Sequence, residues 1–311
     1  MILKQVLEMF ELLDKPDAGG EEAASLLKAR GAQNVEVKTV EGQKGTTDAV
    51  KIVIYGKDGK AGGGKAPTLG IIGRLGGLGA RPEMLGFVSD GDGALAALAV
   101  ALKLTDMYSR GDLLQGDVII TTHICPDAPT REHKPVPFMD SPIDMQTMNA
   151  LEVCPEMDAI LSIDTTKGNR VINTRGFAIS PTIKEGYILK TSEDLLDIMI
   201  RTTGRLPHVF PVAHQDITPY GNGLYHINSI LQPAAASEAP VVGVAITAET
   251  SVAGCATGAS HPEDVESAGR FVIEVAKSFG EGKCVFYDQD EYEKIVKLYG
   301  DLRKFQTLGG G

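Results

Sequence analysis

The chain has no tryptophan, and aromatic residues make up only 5% of its 311 positions. That scarcity of flat rings argues against a stacking platform for bases or sugars. Cationic clusters are equally scarce: 30 Lys and Arg stand against 41 Asp and Glu, a formal charge of −11, and no basic run exceeds a pair. Nothing here would track a phosphate backbone, so nucleic acid is not an expected partner. The four cysteines, Cys125, Cys154, Cys255 and Cys284, form no CxxC pair. They read as reduced, buried thiols and not as a disulfide framework. No window approaches the roughly 18 apolar residues of a membrane span. The opening "MILKQVLEMFELLDKPDAGG" breaks its apolar positions with Lys, Glu and Asp, unlike a signal peptide. The expectation is therefore a cytoplasmic protein without a membrane partner.

What the chain does have is a hydrophobic fraction of 43%, enough to fill a substantial core, and 36 glycines, which point to many tight turns. Residues 1–14 and 20–30 read as amphipathic helices, with Val6, Met9, Phe10 and Leu13 on one face of the first. "NVEVKTV" (34–40) and "AVKIVIY" (49–55) alternate as half-buried strands do. "GKDGKAGGGKA" (56–66) lacks the closing GK[ST] of a phosphate loop and reads as a flexible hairpin or linker.

From residue 67 the pattern changes. "PTLGIIG" (67–73), "DVIITTHI" (117–124), "DAILSID" (158–164) and "APVVGVAI" (239–246) are continuous apolar runs of the kind found in fully buried strands. They alternate with helical stretches at 93–111, 192–204 and 262–280, and a final helix is expected over 288–305. The order predicts one α/β domain: a three-layer sandwich with a mixed, mostly parallel central sheet. Residues 1–66 would form N-terminal helices and a hairpin, 67–280 the core, and 281–311 a C-terminal helix and tail.

In such folds the chemistry gathers at the carboxyl ends of the strands. Arg74, Asp127 and Asp164 stand just past those runs, and Asp90 and Asp92 open the long helix. Three or four carboxylates from separate strand ends would then converge on one crevice.

This order resembles the di-zinc exopeptidases, the metallo-aminopeptidase and carboxypeptidase superfamily with a phosphorylase/hydrolase-like fold, and within it the tetrahedral-assembly aminopeptidases. The likeness spans roughly residues 67–280 and is carried by pattern and order. "SDGDGALAALAVALKL" fits the helix opened by the metal-bridging Asp and puts Asp90 on that position. "VIITTHICPD" fits the strand that ends in Glu-Glu, with Pro126 in place of the general base and Asp127 on the next ligand. "AILSIDTT" puts Asp164 on a third ligand. The chain as a whole also looks like a prokaryotic family of unknown function. By this resemblance Asp90, Asp127 and Asp164 are the metal-ligand candidates, for one divalent ion (zinc or manganese) or none.

The departures carry as much information. "GIIGRLGG" sets Arg74 where the first ligand His belongs and Gly76 where its supporting Asp belongs. Pro126 has no proton to shuttle. The terminal ligand His would fall near Val252, and His261 is nine residues beyond it. An Arg about 4 Å from a dication costs roughly 8 kcal/mol at an effective dielectric near 20. The expected alternative is that Arg74 stands in for a metal by forking onto Asp90 and Asp164. Only eleven residues separate Leu78 from Asp90, so the β-domain that assembly-forming relatives insert there has no room. That removes the basis for a large assembly and leaves a smaller homo-oligomer open.

Other clusters have two readings each. His123, Cys125, Asp127 and His133 carry zinc-type donors, but Pro126 interrupts the strand, and packing at a strand end is the simpler account of His123 and Cys125. Cys125 and Cys255 would serve as acid and base in a cofactor-independent racemase, or simply as filler. "AHQDITPYGNGLYHI" (213–227), with His214, Asp216 and Asn222, is a Gly-rich substrate turn or the lead into a helix at 223–231. "TREHKPVPFMDSP" (130–142) reads as an extended loop from which Arg131, His133 and Lys134 would meet a substrate carboxylate, and His208 as a surface residue. Arg74, Asp90, Asp127, Asp164, His133 and Asn222 are thus the candidate contacts for a small peptide- or amino-acid-like ligand. The resemblance implies a zinc-exopeptidase-like protein with an altered centre that binds such a ligand, or else a single-metal amide hydrolase.

Overall fold

A computed structural model describes residues 1–74, 78–79, 86–132, 138–166, 168–213, 224–250 and 260–306. The four apolar runs form the strands they predict: β3 (Leu69–Gly73), β4 (Val118–Ile124), β7 (Ala159–Thr165) and β11 (Val241–Thr247), every residue of each buried. They lie parallel in the spatial order β4-β3-β7-β11. Crossovers through helices bury both faces of such a sheet, which is why the strands are apolar throughout and do not alternate. The two alternating segments are β1 (Asn34–Gly42) and β2 (Gly45–Ile54), which pair antiparallel and extend the sheet from β4. On the other side β11 meets β8 (Gly176–Ile179) and β9 (Ile183–Lys184), and β9 turns into β10 (Tyr187–Ile188). Among the described residues the sheet has nine strands, mixed in direction with a parallel centre.

Helices cover both faces. Among the described residues there are seven: α1 (Leu3–Leu13), α2 (Gly20–Ala29), α3 (Asp92–Tyr108), α4 (Met145–Glu152), α5 (Glu193–Thr203), α6 (Pro262–Gly280) and α7 (Gln289–Tyr299). On the first face, α3 lies on β3, β4 and β7 and is itself covered by α1 and α6. Its "GALAALAVAL" run is buried all round, as a helix enclosed on every side must be. The second face carries α4 and a 3₁₀ segment, Ser229–Ala235. Side-chain parity separates the two. Leu69, Ile71, Ile120, Leu161, Ile163 and Val244 join the large core of the first face, and Ile72, Ile119, Ile160 and Val241 a smaller core on the second. Among the described residues no helix is long and apolar enough to cross a membrane.

The first turn of α3 sits directly on the strand ends, and Gly93 makes that possible. A Cβ there would stand 2.6 Å from both the Arg74 and Ile163 carbonyl oxygens. Because these are backbone atoms of two paired strands, they have little freedom to yield.

Several expectations change. The stretch 288–305 is broken: α7 stops at Gly300, whose φ of 76° no helix continues, and a 3₁₀ turn follows at Arg303–Gln306. The helix expected at 223–231 is, in its described part, the 3₁₀ segment beginning at Ser229, capped by Asn228 and carrying Pro233. Within 130–142, Thr130–Arg131 (β5) pairs with Phe138–Met139 (β6). The short strands β8 to β10 and helix α4 were not apparent from periodicity. The Gly-rich tract is ordered around a carboxylate: Asp117 accepts from the Gly56 and Ala61 amides, each at 2.8 Å. A Cβ on Gly59 would fall 1.8 Å from that carboxylate. The protein's own Asp117 thus takes the backbone donors a phosphate would want.

Gly93→Ala should lower stability by about 1–3 kcal/mol, the usual cost of overpacking a site that cannot relax. Gly62, with nothing within 4 Å of its Cβ position, should tolerate Ala within about 0.5 kcal/mol. Urea midpoints of the two variants provide the comparison.

Candidate functional site

On the second face polarity rises toward the carboxyl ends of the strands. β4 reads Ile119, Thr121, His123 at alternate positions; β7 reads Ile160, Ser162, Asp164; β3 runs from Ile72 to Arg74. Gly73 is in register with both Thr122 and Ile163, and the Arg74 amide donates to the Ile163 carbonyl at 2.8 Å. One step further along, that register sets His123, Arg74 and Asp164 side by side in a single row. Opposed residues in parallel strands project from the same face, here the one beneath α4 and the 3₁₀ segment 229–235.

Arg74 is 1% exposed, so its charge has to be met inside the protein. Nη1 donates to Glu152 Oε2 at 2.6 Å and to Asn149 Oδ1 at 3.0 Å. Nη2 donates to Gln232 Oε1 at 2.7 Å and lies 2.8 Å from Met145 Sδ. The other oxygen of Glu152 accepts from His123 Nδ1 at 3.0 Å, and Thr121 Oγ1 donates to the Glu152 carbonyl at 2.8 Å. One buried carboxylate therefore bridges a guanidinium and an imidazole, an arrangement that favours charge-assisted hydrogen bonds. The fork expected onto Asp90 and Asp164 goes to α4 and the 3₁₀ segment instead, because Glu152 and the two amides face the guanidinium there.

Asp164 is fully enclosed. Its Oδ1 accepts from the Thr165 amide at 2.7 Å, and its Oδ2 is buried without a hydrogen-bond partner among the described residues. Burial, and after it the negative charge of Asp90, push its carboxyl up to about 8; the Thr165 amide and Arg74 offset part of the rise and Glu152 adds to it. Asp90 is itself buried, in the 3₁₀ turn Ser89–Gly91 that leads into α3.

The other expected residues separate. Asp127 is exposed in the turn after β4, so it does not join the buried carboxylates. It acts on Cys125, whose thiol donates to the Thr46 carbonyl and is pushed up to about 11, chiefly by burial. That suits a packed thiol. Cys154 and Cys284 are likewise buried and free. His123 has more than a packing role, since it pairs with Glu152. His208 is exposed. His261 is half-exposed, opens α6, and pairs with Asp264 at 3.4 Å. Asp92 accepts from Ser260 where α3 and α6 begin. His133, Lys134, His214, Asp216, Asn222, Val252 and Cys255 lie outside the described residues. Glu152, Asn149 and Gln232 were not anticipated; the buried Arg74 was the signal for them, because it required a buried counter-charge from some other element.

A two-metal centre needs several carboxylates and imidazoles around ions about 3.5–4 Å apart. Of the described residues expected at such a centre, Arg74 is bonded to Glu152, Asn149 and Gln232, Asp127 is exposed, and Asp90 and Asp164 are buried. Among the described residues no three His, Cys, Asp or Glu side chains gather as a metal-holding group. The described donor set does not fit two metal ions.

A family model described as "Protein of unknown function (DUF1177)" matches residues 38–309. No curated protein matches the sequence. Among solved structures, glutaminyl cyclase of an Acidobacteriales bacterium superposes with a TM-score of 0.51 at 15% identity, over 90% of this chain and 94% of its own. The TET aminopeptidase of the marine sediment archaeon Thaumarchaeota archaeon SCGC AB-539-E09 gives 0.48 at 11% identity, over 90% of this chain and 99% of its own. The fold is a zinc-exopeptidase-like α/β fold.

Two outcomes follow from this electrostatics. Glu152→Ala should cost about 3–5 kcal/mol, since it strands a buried guanidinium, while Asn149→Ala, which leaves the ion pair intact, should cost less; chemical denaturation checks both. Asp164 has a folded value raised above its ordinary 3.8, so its contribution is fully present below about pH 4 and is lost as pH rises through about 8. The wild type should lose stability over that window by up to about 1.4 kcal/mol per pH unit, and Asp164→Asn should lack that component of the slope.

Proposed function

The chain belongs to this DUF1177 family of unknown function, and we propose that it is a zinc-exopeptidase-like protein with an altered centre, binding a small peptide- or amino-acid-like ligand without di-zinc peptidase chemistry. One observation carries the reading: the residue in the first metal-ligand position is Arg74, held by Glu152, Asn149 and Gln232. A guanidinium so held neither ligates a metal nor swings out to take a ligand carboxylate. Pro126 in the general-base position supports the same reading, since it cannot shuttle a proton.

The ligand crevice we propose lies at the carboxyl ends of β3 and β7, with Arg74, Asp90 and Asp164 at its floor and Asp127 nearer the surface. His133 and Asn222 are proposed rim contacts. Arg74 acts there as a fixed positive charge that holds α4 and the 229–235 segment over the strand ends. The continuous core that joins α1 to Phe286 supports a single domain, and a cytoplasmic protein forming a small homo-oligomer or a monomer is proposed with it.

A second reading, a single-metal amide hydrolase, draws on the pairing of Asp90 with Asp164, since two buried carboxylates suit one divalent ion better than two. Metal analysis of the purified full chain separates the readings when run beside a thermal-shift panel of di- and tripeptides. The binding reading expects peptide stabilisation with less than 0.1 equivalent of metal, on the order of background. One equivalent of zinc or manganese with amidase turnover would transfer the assignment to the hydrolase. Two equivalents with peptidase turnover would end both readings.

A further inference from the structure

The helix α7 packs on the body by one side only. Its sequence, "QDEYEKIVKLY", is amphipathic, yet none of its residues is buried. Tyr292 lies against the rings of Tyr187 and Tyr287 and donates to Glu185, and the Tyr187 hydroxyl donates to the Gly300 carbonyl. These contacts tie the inner side of α7 to the β9–β10 edge, with Ile295 and Val296 half-buried. Leu298 is 73% exposed, Tyr299 69%, and Phe305, just beyond the helix, 53%. A helix of three turns is marginal in water by itself and draws its stability from a packed apolar face.

The exposed charges of α7 are sorted along its length. Asp290 and Glu291 stand in the first turn, and Lys294 and Lys297 in the second half. Leu298 follows Lys294 by four residues and Glu291 by seven, which puts them in one row on the outer side. Asp290, Glu293, Lys294 and Lys297 line an open groove beside that row. Asp290 and Lys294 have the spacing of an intrahelical pair, yet no ion pair engages Asp290, Glu291, Lys294 or Lys297 among the described residues. A uniformly acidic or uniformly basic partner would be attracted by one half of this surface and repelled by the other. The matching surface is one with the reverse order of charge, and α7 turned end for end has it. We propose that the protein forms a two-fold dimer in which α7 pairs antiparallel with α7 of a second copy. Each acidic first turn then lies over Lys294 and Lys297 of the other copy, every favourable pair occurs twice, and Leu298, Tyr299 and Phe305 leave water. The helix is about 16 Å long. With the Phe305 segment the contact covers on the order of 1,000 Å² over both copies, the low end for a specific interface. The proposal goes beyond the ligand-binding reading and does not depend on it.

Sedimentation velocity of the full wild-type chain from about 1 to 200 µM should show a monomer–dimer equilibrium with Kd on the order of 10 µM. Lys294→Glu with Lys297→Glu makes the outer side acidic throughout, and Asp290→Lys with Glu291→Lys makes it basic throughout. Each double variant should associate at least about tenfold more weakly than wild type, while an equimolar mixture of the two should restore dimerisation. Leu298→Lys should also weaken it. All five positions are exposed, so urea midpoints should stay near that of the wild type; should one fall, restoration on mixing still decides. A chain that is monomeric over the whole range overturns the proposal. So does a dimer that both double variants and Leu298→Lys leave undisturbed, since its interface then lies elsewhere. Weakened association in each double variant without restoration in the mixture overturns it as well.

Discussion

A guanidinium held out of water is the constraint on which the centre of this molecule depends. Removing an ion of that size from solvent costs on the order of several kcal/mol even after relaxation, so Arg74 can be buried only where its charge and most of its hydrogen bonds are met. Glu152 meets the charge, Asn149 accepts a further bond from Nη1 and Gln232 one from Nη2, while Nε has no hydrogen-bond partner among the described residues. These partners come from α4 and from the 229–235 segment, and the need to satisfy Arg74 fixes where both elements cross the second face of the sheet. His123 and Thr121 then tie Glu152 back to β4, so strand, helix and 3₁₀ segment close into one polar network.

The same place is defined from the other face by the absence of a side chain. Gly93 allows the first turn of α3 to rest on the Arg74 and Ile163 carbonyls, and that approach brings Asp90 close enough to act on Asp164. Tight packing on one face and ion pairing on the other thus converge at one step of the sheet register. Neither arrangement requires the residues that a two-metal exopeptidase would use. Together they account for a familiar fold whose centre is organised by an internal cation.

Much of the fold was legible because its physics is local. The four central strands are continuous apolar runs, and a parallel sheet covered on both faces accepts little else at those positions. The β8–β10 strands were not legible, since elements of two to four residues have too little length for any period to appear. Helix α4 is only eight residues long and weakly apolar, which hid Glu152. At the site, Arg74, Asp90 and Asp164 were visible as strand-end and helix-start residues, but Asp127 looked equivalent to them and is exposed. Order along the chain places a residue near a strand end without saying which way the following turn sends it.

The sequence by itself determined which segments must be buried, and hence the layered architecture with its polar strand ends, because burial of apolar runs depends on composition within each segment. It also determined that an arginine follows β3 and a proline follows β4, since Arg74 and Pro126 are a matter of identity alone. Only the tertiary structure decided which acid neutralises Arg74. Glu152 lies 78 positions away and Gln232 lies 158, and pairing over such distances is set by register and by how helices cross the sheet. That is why the fork went to Glu152 while Asp164, next in the row, kept an oxygen without a partner among the described residues.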